Sequence, residues 1–167
     1  MNVFLGAYGS EGGVNMEVDY IRAYNWPLKD GNELPNPDFE GKAGLAPWEG
    51  AAVIEEGRGE KGSKAVVLAP GQKIEQYVYL DPQQDFKLGY WSKGGKVQAE
   101  VDDVAVVTGK LSTLKTLIAN SGKRGGEQAV NFVTGKEINP NKKIVRIGFT
   151  NVGTKNAFLD NITLKKR

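Results

Sequence analysis

The chain has 167 residues, 40% hydrophobic and 25% charged, enough for one domain with its own core. Lys and Arg total 22 against 20 Asp and Glu, a net charge of +2, so there is no electrostatic case for nucleic acid. Neither cysteine nor histidine occurs, which removes disulfides, thiolate nucleophiles, Cys-based zinc sites and Ser-His-Asp catalysis.

No apolar run reaches the length of a membrane span, so no membrane insertion is expected. Met1 to Gly6 lacks the basic start and long apolar stretch of a signal peptide. The expectation is that the true N-terminus lies further upstream. Met16–Tyr24 alternates cleanly and reads as a strand, with Glu17, Asp19 and Ile21 on one face and Val18, Tyr20 and Arg22 on the other. A single strand cannot bury itself, so it needs a following or a preceding domain to pair with. Residues 27–32 read as a short polar linker, bounded by Pro27 and, a little further on, Pro35. The main domain is expected over 33–167.

Within it, apolar runs are short and bounded by turns. Strands are expected over residues 51–55, 63–69, 73–80, 86–92, 97–101, 104–108, 127–134, 143–151 and 156–164. With 22 glycines and 7 prolines between them, this spacing predicts an all-β fold, an antiparallel two-sheet β-sandwich or jelly roll. Residues 111–120 are ambiguous: Leu111, Leu114, Leu117 and Ile118 fit a helical stripe, and an irregular stretch or one short helix is expected there.

Two groups of residues carry possible function. In the last strand, Asp160 has the parity of Ile162 and Leu164, so it is expected to point inward with them. A buried carboxylate requires a cation or several hydrogen-bond donors. If the first and last strands meet, Asp160 and Glu40 are placed to share one hard cation, calcium by its preference for oxygen; the alternative is an Asp that accepts backbone N–H bonds. The second group is aromatic. By parity Ile74, Gln76, Val78 and Leu80 look inward, and Tyr77 and Tyr79 outward. Phe86, Leu88 and Tyr90 look inward, and Trp91 outward. Tyr77, Tyr79 and Trp91 are therefore expected to form one exposed strip, a flat apolar surface suited to the C–H face of a sugar ring. Trp48, after Pro47, is either a loop-borne platform or a core residue. Gln98, Glu100 and Asn131 are weaker candidates for hydroxyl partners.

Two resemblances add to this. The Met16–Tyr24 strand resembles the closing "M-x-VDY-[VI]-R-x-Y" strand of family 16 glycoside hydrolases, the laminarinase and agarase group. It implies that a catalytic domain precedes this chain. That family's E-x-D-x-x-E motif is incomplete here: Glu17-Val18-Asp19 is followed by Arg22, and Glu100-Val101-Asp102 by Ala105. No retaining pair of carboxylates is available, and the chain is expected not to be an enzyme. Residues 33–167 resemble carbohydrate-binding modules of the jelly-roll group that includes families 4, 9 and 22. The matching stretches are Leu34–Gly41, Trp48, Gln76–Gly94 and the last two strands. The resemblance implies a structural calcium held by the side chains of Glu40 and Asp160 and the backbone carbonyls of Asp38 and Lys64. It also implies a non-catalytic module that targets an attached hydrolase to a polysaccharide of β-glucan, xylan or agar type. The place of action would then be secreted, periplasmic or at the cell surface. The rival expectation is a structural or interaction sandwich with no sugar site.

Overall fold

The computed structural model describes residues 28–105, 108–136 and 142–167. The strand expected over Met16–Tyr24 lies outside them. Eight strands form: β1 (Glu49–Gly50), β2 (Val53–Glu55), β3 (Ala65–Leu68), β4 (Lys73–Leu80), β5 (Asp85–Val104), β6 (Leu111–Val133), β7 (Lys143–Asn151) and β8 (Ala157–Lys166). Every pairing among them is antiparallel. One short 3-10 turn, Glu60–Gly62, interrupts the β2–β3 connection.

A single curled sheet makes both layers, because β5 and β6 belong to each. The first half of β5, Phe86 to Gly94, pairs with β8, while its second half, Val97 to Asp103, pairs with β7. β6 follows β5 along both halves. The first layer is thus β1-β4-β7-β5-β6 and the second β6-β5-β8-β3-β2. This is the expected antiparallel two-sheet sandwich. One local expectation is corrected: the strands expected over 86–92 and 97–101 are one strand, which Gly94-Gly95 bends without ending. Gly94 sits at φ +86, and a Cβ on Gly95 would lie 2.5 Å from the Lys155 carbonyl oxygen. Only glycine tolerates both the backbone turn and this close approach.

The core lies between the layers. Ile74, Val78 and Leu80 of β4 meet Val145, Ile147 and Phe149 of β7, and across the gap Phe86, Leu88 and Tyr90 of β5 meet Ile162 and Leu164 of β8. The Tyr90 ring packs edge-on against Phe149, with centroids 5.0 Å apart. Trp48 closes one end, packed at a tilt between Phe39 and Phe149 with ring centroids 6.2 and 5.9 Å away, and its indole donates to the Asn36 carbonyl at 3.1 Å. At 3% exposure, Trp48 is a core residue and not a platform.

The stretch read as helix-like is strand in the structure. β6 carries a bulge at Leu114, where the register slips against Val101 and Asp102. The extra residue turns both Leu114 and Leu117 onto the core, and so produces a spacing of three inside a strand. The segment before β1 is not a strand, yet it meets β8 as expected: Glu33 N–H donates to the Leu164 carbonyl and Ile162 N–H to the Pro37 carbonyl, each at 2.8 Å. Asn32, assigned to the linker by composition, is buried and part of the fold. Its amide donates to the Ile162 carbonyl at 3.0 Å and its oxygen accepts from Leu164 N–H at 2.8 Å.

Candidate functional site

The four strands β4, β7, β5 and β6 lie in register, so the outer face of the first layer is a grid. Tyr77, Arg146, Asp102 and Thr113 stand side by side in one row. Glu75, Gly148, Glu100 and Thr116 form the next, and Lys73, Thr150, Gln98 and Ile118 the one after. Tyr77 and Tyr79 flank this grid on β4, 45% and 66% exposed. Strand alternation alone puts them there, two residues apart and facing out.

The middle of the grid is an ion network that sequence reading missed. Arg146 donates to Asp102 Oδ2 through Nε at 2.9 Å, to Glu75 Oε2 through Nη1 at 2.8 Å and to Glu100 Oε2 through Nη2 at 3.0 Å. Thr113 adds a hydroxyl donor to Asp102 Oδ1 at 2.8 Å, and Gln98 an amide donor to Glu100 Oε1 at 2.6 Å. Gly148 leaves room for the guanidinium: a Cβ there would lie 3.3 Å from Arg146 Nη1. Burial alone would lower the Arg146 pKa, but Asp102, Glu75 and Glu100 outweigh it and hold the group well above its usual value. Burial would raise Glu75, but the hydrogen bonds and charges of Arg146 and Lys73 hold it below the usual carboxylate value. The signal that could have found this network is a cation, Arg146, at an outward position in the middle of β7, between Val145 and Ile147.

Gln98 and Glu100 therefore do share a face with Tyr77 and Tyr79. Trp91 and Asn131 do not. Both lie on the outer face of the second layer, Trp91 beside Glu127 and Asp160, and Asn131 beside Lys87. The outward parity of Trp91 holds, since its ring is outside the core cluster. But it is only 8% exposed: the Gly125 turn of β6 covers it, and a Cβ on Gly125 would lie 2.4 Å from Trp91 Cζ2. The expected three-ring strip is thus two rings, with Trp91 buried on the opposite side of the sandwich.

Asp160 is likewise on that opposite side. Ile162 and Leu164 are in the core as expected, but so is Leu159, because a register slip opposite Gly89 and Trp91 shifts the parity of β8. Asn161, in the slip, has φ +48. Asp160 is fully buried all the same, roofed by the turn from Gly59 to Ser63. Its Oδ2 accepts from Glu60 N–H at 2.9 Å and lies 2.5 Å from Ser63 Oγ, and its Oδ1 accepts from Asn161 N–H at 2.7 Å. Burial raises its pKa, the bonds from Ser63, Glu60 and Asn161 lower it, and the nearby Glu40 charge raises it again, for a net increase.

Calcium fits these residues in part. Glu40 Oε1 accepts from Lys64 N–H at 2.6 Å, which brings both predicted partners to the Asp160 turn. Beside Gly59, a Cβ would meet the Lys64 carbonyl oxygen at 2.3 Å and both Asp160 Oδ2 and Ser63 Oγ at 2.4 Å, so three oxygens crowd one spot. Ser63 has one hydroxyl hydrogen, yet its Oγ lies 2.6 Å from the Glu60 carbonyl oxygen and 2.5 Å from Asp160 Oδ2. One hydrogen cannot serve both, and a hard cation is what relieves crowded oxygens. The Asp38 side chain is turned to Lys29 Nζ at 3.2 Å, while the ligand expected from this residue is its backbone carbonyl. Among the described residues no group of three or more His, Cys, Asp or Glu is placed to hold a metal.

Comparison with known proteins finds no matching family model and no matching curated protein. Solved structures match in fold. One is a family 16 carbohydrate-binding module, with a TM-score of 0.58 at 19% identity, matched over 80% of this chain and 99% of that one. A second is a family 61 carbohydrate-binding module in complex with β-1,4-galactotriose, at 0.54 and 16% identity, over 81% of this chain and 99% of that one. A third is the enzymatically active domain of tailspike protein 4 of Bacteriophage CBA120, at 0.62 and 14% identity. The match takes in 82% of this chain but only 22% of the tailspike. At these identities the likeness is one of fold, an antiparallel β-sandwich that the two carbohydrate-binding modules and the tailspike domain share.

Proposed function

We propose that the domain is a non-catalytic carbohydrate-binding module whose sugar site is the outer face of the first layer. The observation that carries this reading is the pair Tyr77 and Tyr79, both exposed on one strand face beside a rigid polar grid. Exposed aromatic rings on a solvated strand cost solubility and offer a stacking surface for pyranose rings. Gln98, Glu100 and Thr113 supply hydroxyl partners, and Arg146 fixes their positions through Glu100 and the buried Asp102. The module-type fold supports the reading.

The polymer proposed is of β-glucan, xylan or agar type, and the module's role is to hold an attached hydrolase on it. Tethering raises the effective concentration of the enzyme without any chemistry in the module itself. Such an assembly would act outside the cytoplasm, secreted, periplasmic or at the cell surface. A calcium ion held by Asp160, Glu40 and the Lys64 carbonyl would serve structure, since it lies on the other layer from the sugar face. The test is titration calorimetry with soluble β-glucan, xylan and agar-type polymers. Saturable binding to at least one of them, lost in the double variant Tyr77→Ala/Tyr79→Ala at unchanged melting temperature, is the expected result. Binding that survives both substitutions would move the site elsewhere.

A further inference from the structure

The grid does not stop at Gln98. One row further, Lys96 of β5 faces the same way and pairs with Asn120 of β6. Here the face opens into a groove of about 570 Å³ between the bend at Gly94-Gly95, the β6 turn at Gly122 and the β7–β8 connection. Three lysines line it, Lys96, Lys123 and Lys155, and no acidic side chain does. None of the three forms an ion pair among the described residues. The backbone beneath is rigid: Val152 N–H donates to the Lys96 carbonyl at 2.8 Å, Gly95 N–H to the Asn156 carbonyl at 2.9 Å, and Gly153 N–H to Asn151 Oδ1 at 2.9 Å. A Cβ on Gly153 would sit 2.7 Å from Lys96 N, so glycine is what lets the two loops close up and bring Lys155 towards Lys96.

The face is therefore polarised. Its centre holds Glu75, Glu100 and Asp102 around Arg146, where no cation is left without a carboxylate. Its end, about 13 Å along β5 from Glu100 and about 20 Å from Asp102 at 3.3 Å per residue, holds three cations with no counterion among the described residues. Like charges gathered without partners repel one another and gain from an anionic ligand that neutralises them.

From this charge distribution we infer that the polysaccharide carries acidic substituents, sulfate esters or uronate carboxylates, and that these seat in the Lys96–Lys123–Lys155 groove while the uncharged sugar faces lie on Tyr77 and Tyr79. This rests on the sugar-face reading and narrows it to anionic glycans. Sulfate and carboxylate share the chemistry of a compact anion, and the groove selects for charge along a chain that must also stack on the tyrosines.

The experiment compares agarose oligosaccharides, a sulfated galactan and a polygalacturonate by calorimetry, at low and at physiological salt. Wild type is expected to bind one of the two acidic polymers more tightly than the neutral one, with an advantage that shrinks as salt rises. The two acidic arms tell sulfate from carboxylate. The triple variant Lys96→Gln/Lys123→Gln/Lys155→Gln should lose that advantage, roughly tenfold at low salt for three exposed ion pairs, and keep its melting temperature. The Tyr77→Ala/Tyr79→Ala variant should lose affinity for neutral and acidic polymers alike. An equal preference for neutral polymer, or an acidic preference untouched in the triple variant, overturns the inference and leaves the sugar-face reading standing. Equal binding of duplex DNA and sulfated galactan also overturns it, since charge alone would then suffice. Loss of all polysaccharide binding in wild type, neutral and acidic, overturns the sugar-face reading itself.

Discussion

Asp160 is a single carboxylate with more oxygen neighbours than hydrogens to share among them. Ser63 Oγ, the Lys64 carbonyl and Glu40 all come close to it, and it has no exposed surface. A cation bound only by the folded state would stabilise it by about 2.7 kcal/mol at a hundredfold excess over Kd. Calcium added to chelator-treated protein should therefore raise Tm, and Asp160→Asn should remove the increment. Identical melting curves with and without saturating calcium would leave Asp160 as a carboxylate held by hydrogen bonds alone. Trp91 and Tyr79 contrast in burial, the one covered and the other exposed. Trp91→Ala should lower stability by about 3–5 kcal/mol, because it opens a cavity under Gly125. Tyr79→Ala should leave Tm nearly unchanged and weaken glycan binding by roughly 5- to 150-fold, by analogy with base stacking on aromatic rings. A normal Tm for the Trp91 variant would mean that the Gly125 turn does not cover the ring in solution. Strand parity made the outward direction of both rings readable. It could not show that a second strand, 34 residues later in sequence, lies over one of them.

Elements show why some of this pattern was legible and some misleading. The alternation in β4 is unbroken, so Tyr77 and Tyr79 were placed correctly from sequence. β8 and β6 each contain a slip, at Asn161 and at Leu114. A slip moves every later residue to the other face, which is why Asp160 was assigned to the wrong side and why Leu114 and Leu117 imitated a helix. In β8 only Asn161, a residue type that tolerates positive φ, marks the slip, and nothing in the sequence around Leu114 marks the other. The pairing of β4 with β7 makes stability depend on pH, because it sets Glu75 beside Arg146. Glu75 has its folded pKa held below the ordinary 4.5 by Arg146 and Lys73 despite burial. A depressed carboxylate contributes stability that is present above the unfolded value and is lost as pH falls through the folded one. The contribution of Glu75 should thus be full at pH 6 and decline below pH ~4.5. The check is the difference in Tm between wild type and Glu75→Gln across pH 3 to 7, which should shrink towards the acid end. A difference constant with pH would mean that Glu75 is not ionically coupled to Arg146. Arg146→Ala should be the harsher change, since it strands Asp102 at 2% exposure with a cost of about 3–5 kcal/mol.

The whole molecule is tied together by β5, whose 20 residues run through both layers. Neither layer can unfold without removing a strand from the other. The sandwich class was legible from many short apolar runs between glycine turns. The single continuous sheet was not, because Gly94-Gly95 reads as a stop wherever glycines are taken only as turn residues. The structure instead uses them for a bend that the β7–β8 connection crosses at close range. Two substitutions separate these effects. Gly57 and Gly94 both have positive φ, +72 and +86, but a Cβ on Gly57 meets nothing within 4 Å whereas one on Gly94 lies 2.6 Å from the Asn156 carbonyl oxygen. Gly57→Ala should cost about 1 kcal/mol, the backbone penalty alone. Gly94→Ala should cost distinctly more, because the displaced atom is backbone and the bend belongs to both layers. In a Trp26→Phe background, Trp91 on the second layer and Trp48 in the core report by fluorescence, and far-UV dichroism reports all strands. Denaturant curves from the two probes should coincide for wild type and for Gly94→Ala, with the variant's midpoint shifted down. Separate transitions in either protein would show that the two layers are independent units and that the β5 bend does not couple them.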